Sequence, residues 1–207
     1  MRLPKTHTGD SKTTRSGIRV NNARKLYAIL TVGAGVGFIA SFLQMLGKIT
    51  LLKNSDSVLS CNLNSVFSCS NILNAHQSSV FGFPNSLLCI AFFALLLSVG
   101  LVGWTGSVVK PKLLFVYQAM SLFFAGFGFW YFWQSIFNVG ALCVYCLFCY
   151  GGVLLINGAL LRLNYKNLPF GKKVMLAVDR LVSRGADIFF WCLIALVIVL
   201  EAIIKFA

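Results

Sequence analysis

Charge is what this sequence has least of. Only 11% of its 207 residues are Asp, Glu, Lys or Arg, and acids are scarcest: five, against eighteen bases. Soluble domains are about 25% charged, so a water-facing surface wrapped around one core is excluded. With 58% hydrophobic residues and a mean hydropathy of +0.82, the chain is expected to be an integral membrane protein. Nor does any stretch interleave Arg and Lys with aromatics along one face, as a nucleic-acid groove needs. The net charge of +13 sits in polar segments between apolar runs, where membrane topology puts it, and no nucleic-acid partner is expected. No small-x-small cleavage site follows the first apolar run, which is too long for a signal-peptide core. The two tight Cys or His pairs of a structural zinc site are not both present, because the gap between Cys61 and Cys69 is loose for one, so no metal is expected.

What is present is five apolar runs of membrane-spanning length, at about 26–47, 85–104, 113–139, 143–163 and 187–207. The fold class read from them is an all-α integral membrane protein: a four-helix transmembrane bundle with a fifth C-terminal transmembrane helix. Residues 1–25 read as a disordered basic cytoplasmic tail, 26–163 as the four-helix core with an outer loop at 48–84, and 164–186 as a basic cytoplasmic loop. Gly33-x-x-x-Gly37 marks a close helix contact, inside the chain or between chains. The outer loop carries Val66, Phe67, Ile72, Leu73, Val80, Phe81 and Phe83. A solvated linker has no need of them, so the loop is expected to fold over the bundle. The aromatics of the third run, Phe123 to Phe137, are accounted for by packing and interfacial belts.

Orientation follows from the bases. Seven lie in the tail, two between helices two and three (Lys110, Lys112) and six between helices four and five; only Lys48, Lys53 and Lys205 lie on the other side. The N-terminus is therefore expected in the cytoplasm. Cys61, Cys69, Cys143 and Cys146 then share the opposite, disulfide-permissive face.

Cys143-Val144-Tyr145-Cys146 stands where the fourth span begins. Two sulfurs at that spacing on a helix's first turn can bridge, and the helix N-terminus favours a thiolate. Redox chemistry is the expectation for this pair. Cys61 and Cys69 form either a static loop staple or the outer half of a thiol–disulfide relay. Cys89, Cys149 and Cys192 read as small hydrophobes. Tyr150 lies one turn below Cys146, placed to bond a ligand carbonyl or a group within the bundle. His76 is a loop histidine that a reduced ligand could use as a proton donor. Glu201 and Lys205 are spaced as an i,i+4 pair.

Together these features resemble the vitamin K epoxide reductase family, including bacterial members that do the work of DsbB. They are a cysteine pair after helix one, Phe81-Gly82-Phe83-Pro84 leading into helix two, and Cys143-x-x-Cys146 opening helix four with Tyr150 four residues on. In DsbB itself the Cys-x-x-Cys lies in the first outer loop. The resemblance implies that Cys146 attacks a quinone, that Cys143 resolves the product and exchanges with Cys69, and that Cys61 meets an incoming thioredoxin-fold protein. Tyr150 and Asn85 take the family's quinone-contacting positions. The implied function is a thiol–quinone oxidoreductase in the bacterial inner membrane, with its redox cysteines in the periplasm. It would reoxidise a soluble DsbA-like protein and pass electrons to ubiquinone or menaquinone as a monomer. Ala75 stands where the family often has serine, which counts against epoxide chemistry. Many bacterial members carry a thioredoxin domain after helix five; none is seen before Ala207, so a separate partner is expected. The competing readings are a vitamin K quinone or epoxide reductase and a non-catalytic membrane protein with structural disulfides.

Overall fold

A computed structural model of the chain describes residues 10–55, 57–107, 109–165 and 172–206. The protein is all-α: among the described residues there is no strand, and five helices are long and apolar enough to cross a membrane. The helices are α1 (Asp10–Lys53), α2 (Cys69–Asn74), α3 (Asn85–Trp104), α4 (Pro111–Gln134), α5 (Val144–Asn164), α6 (Lys172–Ser183) and α7 (Ala186–Phe206). A 3₁₀ turn at His76–Ser79 and a π turn at Ser135–Val139 complete the regular structure.

Proline and glycine set several of these limits. Pro84 directly precedes α3, and Pro111 opens α4 at the position where its missing N–H costs nothing. The π turn ends at Gly140, whose φ of +69° is a left-handed conformation that favours glycine. This lets α4 pass into α5 within a few residues. The span within α1, Asn22–Lys53, has 32 residues. At a rise of about 1.5 Å per residue it exceeds a hydrocarbon core of about 30 Å, so α1 reaches beyond the membrane.

Two expectations about irregular segments change. Residues 10–25, read as disordered, are the first turns of α1; they contain no proline, so nothing local stops the helix of the span from continuing. Residues 1–9 lie outside the described residues. The basic segment 164–186 holds α6, and the part at 166–171 lies outside the described residues.

α5 is the central helix and α7 the peripheral one: 56% of the apolar window of α5 is buried, against 11% for α7. α1 runs along both α3 and α5, and α4 closes the bundle against α5. Small residues permit the approach. A Cβ on Gly152 would lie 2.6 Å from the Gly33 carbonyl oxygen and 3.4 Å from the Gly37 Cα. Gly33-x-x-x-Gly37 is thus spent on a contact inside the chain.

α7 is tied to α5 by one ion pair, Arg162 Nε to Asp187 Oδ2 at 2.6 Å, with Arg162 Nη2 to Asp187 Oδ1 at 3.0 Å. The guanidinium fork fits the carboxylate in two-pronged geometry. The expected Glu201–Lys205 pair does not form; one Glu201 carboxylate oxygen is buried without a hydrogen-bond partner. Asp187→Ala should therefore loosen α7 by roughly 2–3 kcal/mol, because it leaves a partly buried cation unpaired. Replacing both partners by leucine should recover most of that loss. Thermal unfolding of the two variants in detergent checks this, and equal losses in both would contradict it.

Candidate active site

The outer loop is fixed to the bundle by backbone. Leu142 N–H donates to the Val66 carbonyl at 2.7 Å, and Ser68 N–H donates to the Leu142 carbonyl at 3.0 Å. These bonds make a one-residue parallel bridge between Phe67 and Leu142. The Asn62 side chain ties the loop across itself, donating to Ser70 Oγ at 2.8 Å and accepting from Ser70 N–H at 3.1 Å. Ile72 and Leu73 are buried in the same cluster as Cys143 and Cys146, with Val66 and Phe67 packed against it, so this part of the loop folds over the bundle, whereas Val80, Phe81 and Phe83 remain exposed.

This bridge brings the two cysteine pairs together. Cys61 and Cys69 are disulfide-bonded, with Cα atoms 5.8 Å apart, while Cys143 and Cys146 are free. Cys143 Sγ lies 3.4 Å from Cys69 Sγ. Cys69 opens α2, and Cys143 is the residue on which α5 starts. Both loop cysteines are buried: Cys61 is 6% exposed and Cys69 0%. The bridge and the packing of α2 bury both. A hydrogen bond from Cys146, aided by the Cys146 and Tyr145 N–H groups, holds the Cys143 thiol below its ordinary range although burial opposes it.

Cys146 lines a cavity of about 70 Å³ bounded by α1, α3, α4, α5 and the loop. One water needs roughly 10–15 Å³ on this scale, so the space suits a ring rather than a long chain. Phe93, Phe124, Phe127, Tyr131 and Phe132 supply aromatic walls. Asn85 and Tyr150 also line it. Asn85 Nδ2 donates to the Gln77 carbonyl at 2.7 Å, leaving its buried Oδ1 without a partner. Tyr150 donates its hydroxyl to the Ala125 carbonyl at 3.1 Å. Of the two roles open to this tyrosine, the structure shows the bond within the bundle, and a ligand meets the hydroxyl as an acceptor. His76 does not line the cavity.

Residues 28–158 match the model of the vitamin K epoxide reductase family. The chain belongs to that family. The match runs from α1 to near the end of α5 and leaves α6 and α7 outside it. Comparison with curated proteins finds no match to the sequence. Membership makes the protein an oxidoreductase, and proteins of this family use quinones and work with thioredoxin-like partners in general. The cavity fits a quinone head group on its own chemistry. Aromatic walls match a flat apolar ring, and the unpartnered Asn85 Oδ1 offers an acceptor to a hydroxyl of the reduced, hydroquinone form.

Four further residues on this family site escaped the sequence reading. Cys89 and Cys149, read as packing residues, face the cavity. Lys48, counted only for orientation, lines it too, with Nζ 2.5 Å from the Leu73 carbonyl. Gln44 lines it from α1 and reaches two sulfurs. A buried amide in an apolar run was the available signal, since polar groups inside a membrane are expensive.

Proposed function

We propose that the protein takes two electrons and two protons from a reduced DsbA-like thioredoxin-fold protein and delivers them to ubiquinone or menaquinone. The partner's dithiol becomes a disulfide and the quinone becomes a hydroquinone, which supports disulfide formation in exported proteins. The observation that carries this reading is the unbroken file of sulfur: Cys61 bonded to Cys69, Cys69 3.4 Å from Cys143, and Cys146 on the cavity wall. Cys61 receives the partner's thiolate. Cys69 then exchanges with Cys143, and Cys146 presents its sulfur to the ring. Asn85 Oδ1 and the Tyr150 hydroxyl oxygen accept from the hydroxyls of the hydroquinone as it forms, and the aromatic walls exclude water.

The protein resides in the bacterial inner membrane, with the N-terminus cytoplasmic and the sulfur file periplasmic. The bases gathered toward the opposite end of the bundle support this orientation. A purely structural role for the cysteines fits less well, because Cys143 and Cys146 are free and Cys143 sits beside a disulfide it can attack.

The test is anaerobic. Wild-type protein in detergent, a reduced DsbA-like donor and either quinone should yield hydroquinone, followed by its absorbance. A donor whose second active-site cysteine is replaced by alanine should stay on the wild-type protein as a mixed disulfide on Cys61, because its one thiolate attacks Cys61, displaces Cys69 and cannot then be expelled, and this is visible on a non-reducing gel. Neither turnover nor a trapped donor would overturn the proposal.

A further inference from the structure

Gln44 is buried, 7% exposed, in the last third of the first span, Asn22–Lys53. Its Nε2 lies 3.5 Å from Cys146 Sγ and 3.4 Å from Cys149 Sγ. A primary amide carries two N–H donors on one nitrogen, so one group can serve both sulfurs. The protons around it distinguish the two. Ser41 donates its hydroxyl to the Gly37 carbonyl at 2.7 Å. Its only hydrogen is thereby used, so in the 3.2 Å contact between Ser41 Oγ and Cys149 Sγ the thiol is the donor. Cys149 also aims at the Gly37 carbonyl, at 3.7 Å. Cys149 has one hydrogen and two acceptors within reach of it, which favours its protonated form. Among the described residues Cys146 has no carbonyl or hydroxyl acceptor, and its sulfur accepts from the Gln44 amide N–H. Because Ser41 takes the Cys149 proton, the amide must present nitrogen rather than oxygen to these sulfurs.

A sulfur that attacks an electrophile reacts as the thiolate, and in an apolar cavity its charge needs a fixed donor. We propose that Gln44 belongs to the active site, donating through its side-chain amide to Cys146 so that the thiolate forms on this sulfur and not on Cys149. This rests on reading Cys146 as the quinone-facing sulfur. The α5 N-terminus alone does not separate the two cysteines so sharply; a donor brought in from α1 does. Lys48, one turn further along α1, lines the same cavity wall.

The experiment reads thiolate formation without relying on turnover. In a Cys143→Ala background, which removes the proton-sharing neighbour, iodoacetamide labelling of Cys146 and Cys149 is followed against pH by peptide mass spectrometry. Cys146 should label faster than Cys149. Adding Gln44→Met, which keeps the volume and removes the donor, should slow Cys146 about ten-fold at fixed pH, the scale of one hydrogen bond to a charged group. Gln44→Glu keeps the shape and replaces the donor by a carboxylate, so it should slow Cys146 at least as much and covers the case in which the Met variant does not fold. Ser41→Ala, which touches only the Cys149 side, should leave the Cys146 profile in place. An unchanged Cys146 profile in both Gln44 variants, or an equal shift in Ser41→Ala, overturns the proposal. Decylubiquinone added to the Cys143→Ala protein tests the underlying reading separately. If no thiolate–quinone absorbance develops, Cys146 is not the quinone-facing sulfur, whatever Gln44 does to its labelling.

Discussion

Cys146→Ser is expected to lower quinone reduction by roughly three orders of magnitude or more, the scale seen when a nucleophile is removed, and at the same time to move a disulfide. Serine leaves the cavity wall intact but cannot form a sulfur–sulfur bond, so electrons reaching Cys143 have nowhere to go. Cys143 remains 3.4 Å from Cys69. It is 1% exposed, shielded from other oxidants, and a serine hydroxyl can replace the hydrogen bond it received from Cys146. Its thiolate attacks Cys69 and releases Cys61, an exchange that needs no outside oxidant. The Cys61–Cys69 bond of the wild type should therefore give way in part to a Cys69–Cys143 bond, with Cys61 newly open to alkylation. Peptide mapping without reduction reads both bonds directly. An unshifted Cys61–Cys69 bond together with normal quinone reduction would remove Cys146 from the reaction.

Gly152→Val should cost about 3 kcal/mol, at the upper end for overpacking a filled core, and should take activity with it. The atom a new Cβ meets is the Gly33 carbonyl oxygen at 2.6 Å, with the Gly37 Cα at 3.4 Å. Both are backbone, so no side chain can swing aside, and α1 must move away from α5. That movement would also draw Gln44 and Ser41 back from Cys146 and Cys149. The adjacent residue supplies the control. A Cβ on Gly151 meets nothing within 4 Å, so Gly151→Ala should be neutral or slightly stabilising, since alanine favours a helix over glycine by about 1 kcal/mol. Unfolding titrations in mixed detergent and SDS, run beside the quinone assay, separate the two. Similar losses for both substitutions would mean that the α1–α5 approach does not depend on Gly152.

How much of this was legible in the chain depends on how local each feature is. α3 could be placed at 85–104 because its apolar run has spanning length and Phe81-Gly82-Phe83-Pro84 leads directly into it, signals that lie within or beside the helix itself. The Cys-x-x-Cys at a helix start is equally local, and apolar runs of spanning length need only composition. The reading failed where the deciding partner is distant. Glu201–Lys205 satisfied i,i+4 spacing, yet the ion pair that forms is Arg162–Asp187, 25 residues apart. Spacing along one helix says which residues could meet, whereas Arg162 and Asp187 are brought together only by the packing of α7 against α5. Residues 10–25 look disordered by composition alone but continue a helix already begun.

By itself, then, the sequence determined an all-α membrane protein with five spans, the position of the Cys-x-x-Cys and the family it resembles. Spacing, hydropathy and charge placement are properties of neighbouring residues. Only the tertiary structure decided that Cys69 would stand over Cys143, through two backbone bonds at Leu142. It alone gave Cys146 a donor 102 residues away in Gln44, and turned Cys89 and Cys149 from apparent packing residues into cavity wall. Those outcomes depend on how closely the helices approach. That approach is set where Gly33 and Gly37 meet Gly152; the Gly33-x-x-x-Gly37 pattern marks a close contact, but nothing local names its partner on α5.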